Sequence, residues 1–279
     1  MRRISIPLPG GPTLSALEAG EGPPLVMIPG WSQSAAEFAP NIGPLAQGAR
    51  VIALDMRGHG ESEKPAGGYR VSRLAADLAA ALDVLGLERA DLLGHSMGSS
   101  VIWSYLDLFG PGRVRKLVIV DQAPCAIARP GWSEDERLDH GCLFPDGAAF
   151  GGFVGAVAAT GDVDGTAALL AGMFTAGFPP EALRAIVAEN LKLPRADAAA
   201  LLHDHCYLDW RDVIRSIRLP TLVVGGQKSI FSEQSQRWIA AQIPGAEVEI
   251  VEADAGGSHF MFVENPERFN ARVAAFLAA

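Results

Sequence analysis

The chain has 279 residues, 49% of them apolar and 20% charged, with a net charge of -9. That length and apolar content describe a globular protein with a sizeable core, holding one large domain or one domain with an inserted cap. The acidic balance lacks the clustered Lys and Arg that a nucleic-acid surface needs, and no apolar run is long enough to span a bilayer. Cys125, Cys142 and Cys206 are too few and too scattered for a disulfide framework, so reduced thiols are expected. Arg2 and Arg3 are followed by prolines and glycines rather than by an apolar h-region, and the expected compartment is the cytoplasm.

Taken in order, Ile4–Leu8 and Leu14–Glu18 read as short strands joined by the Pro9-Gly10-Gly11-Pro12 turn, an antiparallel edge hairpin. Leu25–Ile28 is a continuous apolar run of the kind buried on both faces of a sheet, ending in Pro29-Gly30-Trp31-Ser32. A helix is predicted from about Ala35 to Gln47. The next strand, Arg50–Asp55, runs into Met56-Arg57-Gly58-His59-Gly60-Glu61-Ser62. Val71, Leu74, Leu78, Leu82 and Leu85 recur at helical spacing, and that helix stops at Gly86. Asp91–Gly94 and Lys116–Asp121 are further strands, separated by a helix with Val101, Ile102, Tyr105, Leu106 and Phe109 inward. Strands and helices alternating through short links predict a parallel sheet covered by helices on both faces.

From Cys125 to Ser216 the pattern changes. No convincing strand is present, and Gly, Ala and aromatic residues such as Trp132, Phe144, Phe150 and Phe153 dominate. This stretch, residues 125–216, reads as a helical lid inserted between two sheet strands. The body is then 1–124 together with 217–279. The closely spaced Gly147, Gly151, Gly152, Gly155, Gly161 and Gly165 predict flexible links rather than one long helix. The sheet resumes at Leu222–Val224. A helix over Ser232–Gln242, a last strand marked by Val248 and Ile250, and a closing helix over Asn265–Leu277 complete the chain.

The stretch around which the rest is arranged is Leu92-Leu93-Gly94-His95-Ser96-Met97-Gly98-Ser99. It places Gly-x-Ser-x-Gly between an apolar strand and an apolar helix. A serine at so sharp a turn has a strained backbone that pushes its hydroxyl out of the sheet. Small flanking residues are needed because chain and helix approach closely there, and Gly94 and Gly98 meet that need. The following helix points free N–H groups, that of Met97 first, at any oxyanion forming beside the serine.

Four segments together carry a family resemblance. They are Pro29-Gly30-Trp31, Asp55-Met56-Arg57-Gly58-His59-Gly60-Glu61-Ser62, Gly94-His95-Ser96-Met97-Gly98 and Gly257-Ser258-His259-Phe260. On these the chain resembles the α/β-hydrolase superfamily over essentially its whole length apart from the lid. The resemblance implies a mostly parallel sheet flanked by helices and a Ser–acid–His triad. It puts the catalytic base at His259 and the second oxyanion donor at the main-chain N–H of Trp31, beside that of Met97. Ser96 is the nucleophile under this reading, since a serine hydroxyl attacks only when a base takes its proton. His95 and His59 are expected to have packing and structural roles. His203, His205 and Cys206 are not expected to bind metal, because only His203 and Cys206 could share a helix face and no matching ligand pair stands elsewhere.

The acid departs from the usual pattern. Where an aspartate is expected after Gly225-Gly226, the chain reads Gln227-Lys228-Ser229, and a serine cannot supply the charge that stabilises an imidazolium. Ser229 is therefore expected to contribute little. Asp121 closes the strand next to the nucleophile strand and is the preferred acid, with Asp254 and Glu233 as alternatives. A serine in place of the aspartate nucleophile of haloalkane dehalogenases and epoxide hydrolases implies acyl-enzyme chemistry. That leaves hydrolysis of esters or lactones, C–C bond hydrolysis of diketones, and perhydrolysis as in cofactor-free haloperoxidases. None needs a metal or organic cofactor. The aromatic lid, with Trp31, Trp132, Phe144, Phe153 and Phe260 as expected pocket walls, favours a hydrophobic small-molecule substrate. A non-catalytic ligand receptor on the same fold is the competing class.

Overall fold

A computed structural model describes residues 1–279. Eight strands form one sheet: β1 (Arg2–Pro7), β2 (Thr13–Ala19), β3 (Pro24–Ile28), β4 (Arg50–Asp55), β5 (Ala90–His95), β6 (Val114–Val120), β7 (Thr221–Gly226) and β8 (Glu247–Val251). Their order is β1-β2-β4-β3-β5-β6-β7-β8, with the β1–β2 and β2–β4 pairings antiparallel and the remainder parallel. This is the covered parallel sheet with an edge hairpin that the strand–helix alternation predicts.

The helices are α1 (Ala39–Leu45), α2 (Val71–Val84), α3 (Met97–Phe109), α4 (Glu134–Asp139), α5 (Gly147–Ala159), α6 (Val163–Leu170), α7 (Pro180–Asn190), α8 (Arg195–Cys206), α9 (Arg211–Ser216), α10 (Glu233–Gln242), α11 (Met261–Glu264) and α12 (Pro266–Ala278). None is long and apolar enough to cross a membrane.

The central strands are apolar throughout because successive residues face opposite sides of the sheet and both sides are covered. Val26, Ile28, Leu92, Leu117 and Ile119 join a core with α2, α3 and α10. Their neighbours Leu25, Met27, Leu93, Val118 and Val120 join a second core with α1, α11 and α12. The chain moves from β3 outward to β4, then returns across β3 to β5. That reversal opens a crevice at the carboxyl ends of β3 and β5, where open α/β sheets bind their ligands.

Helices α4 to α9 lie between β6 and β7, and this segment contains no strand, only the isolated bridges Cys125–Asp209 and Ile127–Phe144. The expectation that its glycines make flexible links is overturned for four of them: Gly147, Gly151, Gly152 and Gly155 all lie within the continuous helix α5. Two interactions override the poor helix propensity of glycine. Asp146 caps the helix by accepting the N–H groups of Ala148 and Ala149 at 2.9 and 2.8 Å. Phe150, Phe153, Val154 and Val157 then form a stripe at helical spacing that packs into the larger core beside α8. The glycines fall elsewhere on the helix, and a Cβ at Gly151, Gly152 or Gly155 would meet open space. Gly161 lies between α5 and α6, and Gly165 within α6.

The inserted helices are anchored on the loop after β3. Trp31 Nε1 donates to the Ala198 carbonyl at 2.8 Å, and Ser32 Oγ donates to the Asn190 carbonyl at 2.7 Å. The crevice is thereby roofed.

Candidate active site

Ser96 sits between β5 and α3 with φ 51° and ψ -123°. The helix starts at Met97. Only three non-glycine residues have positive φ: Ser32, Ser96 and Asp121. One lies in the loop after β3, one at the end of β5 and one at the end of β6, all around the same crevice. Each such conformation costs about 1–3 kcal/mol, and such strain gathers at functional sites. Close packing holds the turn. A Cβ on Gly98 would lie 2.2 Å from the Ile28 carbonyl oxygen, and one on Gly94 would lie 2.5 Å from the Ser99 nitrogen. The helix therefore presses on β3, and Ser96 has no room to relax.

Asp121 is fully buried at the end of β6. Its Oδ2 accepts from His259 Nδ1 at 2.6 Å. The same oxygen accepts the hydroxyl hydrogen of Ser229, from the loop after β7. Ser229 Oγ in turn accepts the N–H of Phe231 at 3.1 Å. Burial pulls the His259 imidazole below its ordinary pKa, and the Asp121 hydrogen bond opposes that fall. Asp254 lies exposed in a short turn, and Glu233 starts α10 and faces Arg237; neither touches His259.

His259 and Ser96 line one cavity of about 230 Å³ without a direct hydrogen bond between them. The main-chain N–H groups of Trp31 and Met97 donate to no other group of the protein. Phe144, Phe153 and Phe260 form part of a mostly apolar wall, and Trp31 stands among them. The site residues therefore arrive from four strand ends, β3, β5, β6 and β8, with the helical segment overhead.

The family described as alpha/beta hydrolase fold matches residues 23–266. The chain belongs to it. Among individual proteins, it is 26% identical over 272 residues to a putative non-heme chloroperoxidase of Synechocystis sp., covering 93% of both chains. It is 28% identical to the esterase RhEst1 from Rhodococcus sp. ECU1013, with a TM-score of 0.82 over 100% of this chain and 99% of that one. It is 26% identical to Est816, described as an N-acyl homoserine lactone degrading enzyme, with a TM-score of 0.77 over 98% and 100%.

Within this α/β-hydrolase, one expectation needs correction. Trp132 is no part of the cavity. Its ring stands edge-on to His140 at 4.8 Å, with the Arg211 guanidinium over it at 4.9 Å. These cation–π and aromatic contacts draw the indole to the outer junction of α4, α9 and α10. Ser229, set aside as a non-acid, is hydrogen-bonded to the buried carboxylate itself.

The remaining histidines fall as follows. His59 is buried, with Nδ1 2.7 Å from the Arg57 carbonyl, and burial lowers its pKa to about 4. His203 lies against Phe150 and Tyr207. His205 and Cys206 line the cavity, where burial pulls His205 down to about 4 and pushes the Cys206 thiol up to about 12. No group of three or more His, Cys, Asp or Glu side chains stands close enough to hold a metal ion. His95 does more than pack: it is hydrogen-bonded on both ring nitrogens. Sequence reading missed Ser229, and also Gln33, Leu169, Met173, Asn190, Ile230 and Phe231 of the cavity wall. Only Ser229 carried a signal, standing where an aspartate was expected.

Proposed function

We propose that this α/β-hydrolase cleaves a carboxylic ester or lactone of a hydrophobic small molecule through an acyl-enzyme on Ser96, with His259 as base and Asp121 as acid. The observation that carries this reading is the buried Asp121–His259 hydrogen bond of 2.6 Å, set over a cavity that also holds the strained Ser96.

The chemistry follows from those positions. With Nδ1–H donated to Asp121, the tautomer of His259 leaves Nε2 as a base. That nitrogen takes the Ser96 proton as Oγ attacks the substrate carbonyl. The tetrahedral oxyanion is held by the N–H groups of Trp31 and Met97, whose donors are unused in the resting protein. The imidazolium, stabilised by the Asp121 carboxylate, returns its proton to the leaving alkoxide. Water, activated by the same nitrogen, then releases the acid. Residues 125–216 serve as the lid, roofing the cavity and choosing the substrate. The apolar wall and a volume of about 230 Å³ favour short, hydrophobic acyl and alcohol groups. The similarity to a putative non-heme chloroperoxidase supports a second use of the same intermediate, in which hydrogen peroxide replaces water and yields a peracid.

The test is covalent labelling of Ser96 by a fluorophosphonate, joined to a rate screen over short esters, long esters and lactones. Labelling lost in Ser96→Ala, with turnover of short esters or lactones in the parent, is expected. A parent that neither labels nor hydrolyses would leave a ligand receptor as the better reading.

A further inference from the structure

Behind Ser96 lies a pair of polar side chains that the triad does not use. Glu37 belongs to the 3-10 turn Ala35–Phe38 after β3, and His95 is the last residue of β5. Their side chains are 0% and 1% exposed. Glu37 Oε1 accepts the N–H of Gly30 at 3.1 Å. His95 Nδ1 lies 3.2 Å from Oε1 and 3.3 Å from Oε2 of Glu37. On its other side, His95 Nε2 lies 3.0 Å from the main-chain carbonyl oxygen of His259. The imidazole is held edge-on to Phe262 and tilted against Phe260, with ring centres 4.6 and 4.9 Å away. Gly30 lets it come this close, since a Cβ there would stand 3.0 Å from His95 Nδ1.

The partners place the protons. A carbonyl oxygen only accepts, so His95 Nε2 carries hydrogen and donates to His259. Glu37 Oε1 already receives the Gly30 N–H. What remains is a single proton between Glu37 Oε2 and His95 Nδ1. Burial pushes the Glu37 carboxyl well above the usual carboxylate range and pulls His95 down to about 4. Both directions oppose charge on the pair, and one shared proton joins the Glu37 carboxyl to His95 Nδ1.

We infer that Glu37 and His95 form a buried hydrogen-bonded pair that positions both halves of the site. Glu37 sets the Gly30–Trp31 main chain that carries one oxyanion donor, and His95 sets the main chain of the base His259. The inference rests on the hydrolase reading above. Neither residue touches the reacting atoms; both are positioning residues. Through them the loop after β3, the elbow and the loop after β8 share one reference point. A misplacement of about 1 Å in such a constellation can cost on the order of 10²-fold in rate.

The test uses the isosteric neutral amide. In Glu37→Gln, Nε2 can donate to His95 while Oε1 accepts from Gly30, so kcat per fluorophosphonate-titrated site is expected within about threefold of the parent. Glu37→Met keeps the bulk and loses both hydrogen bonds. Its kcat per titrated site is expected to fall by about 10- to 100-fold with KM changed less than about threefold. A purely structural role would lower the melting temperature and the fraction of titratable sites while leaving kcat per site unmoved, and that outcome overturns the inference. Equal losses in Glu37→Gln and Glu37→Met would show that these hydrogen bonds do not set the rate and overturn it too. Should Glu37→Met fail to fold, His95→Phe carries the same test, since a ring fits between Phe260 and Phe262 but cannot donate to the His259 carbonyl. A parent enzyme with no turnover or labelling instead defeats the hydrolase reading, and the inference falls with it.

Discussion

Ser229 donates its hydroxyl to Oδ2 of Asp121, the oxygen that also faces His259 Nδ1. A serine thus stands where this fold usually keeps its acid, and it serves the carboxylate that has taken over the role proposed here. A hydrogen bond to a charged group contributes about 1.5–3 kcal/mol. Ser229→Ala is therefore expected to lower kcat by about 10-fold or more rather than leave it unchanged. Steady-state kinetics with a short ester decide this, and a rate equal to the parent's would assign the Asp121 charge to His259 alone.

The geometry of that oxygen also ranks the carboxylates. Asp121→Asn keeps the side-chain shape but favours the wrong imidazole tautomer, so kcat is expected to fall by up to ~10⁴-fold. Asp254→Asn and Glu233→Gln are expected to be mild, since neither residue touches His259. Adding Ser229→Asp to Asp121→Asn returns a carboxylate beside position 121 and is expected to recover part of the loss. No recovery would mean that the loop after β7 cannot bring a carboxylate to His259.

How much of this was legible in the sequence depends on the range of the interactions involved. The strands could be read from local signals, the central ones as apolar runs bounded by turn residues and the edge strands β1 and β8 as polar–apolar alternation. The nearness of Asp121 to the elbow could be read because β5 and β6 are consecutive parallel neighbours. Ser229 could not, since its role depends on a loop 108 residues further on folding over the end of β6. Nor could the cavity wall be read. Helices of six to thirteen residues with weak periodicity give no register from which to say which aromatic faces inward. Trp132 looked like a wall residue by type, but Arg211, on a helix 79 positions later by number, draws its ring outward. The glycines of α5 misled because a capping aspartate and a stripe of four apolar residues outweighed their propensity.

Under the mechanism proposed above, the protonation of His259 sets an acid limit on activity. The base must be neutral, so the rate falls as pH drops through its pKa. Burial lowers that pKa below the ordinary 6.5, which moves the loss to more acid pH. The acid limb of kcat/KM is expected to have its midpoint below 6.5, and Asp121→Asn, by removing the interaction that opposes the shift, should move the midpoint lower still. A pH–rate profile with a midpoint above 6.5 would contradict the buried, neutral base.

A second, small cavity lies between Trp31, Phe153, Val157, Leu169 and Leu170, with room for only about 10 Å³. Phe153 lines both spaces, as do Trp31, Leu169, Leu170 and Asn190. Behind Phe153, Phe144 also packs against Phe150 at 5.1 Å, a contact that remains when the Phe153 ring is removed. Phe153→Ala is expected to join the two volumes and shift preference toward longer acyl chains, by about 10-fold or more in the ratio of kcat/KM values, since each buried methylene contributes about 0.8 kcal/mol. Trp132→Ala is the control. It lies outside the cavity, so it should lower the melting temperature through lost contacts with His140 and Arg211 while leaving the ratio of ester rates as in the parent. A Trp132 variant that changes chain-length preference, beside a Phe153 variant that does not, would place the acyl site on the opposite side of the roof.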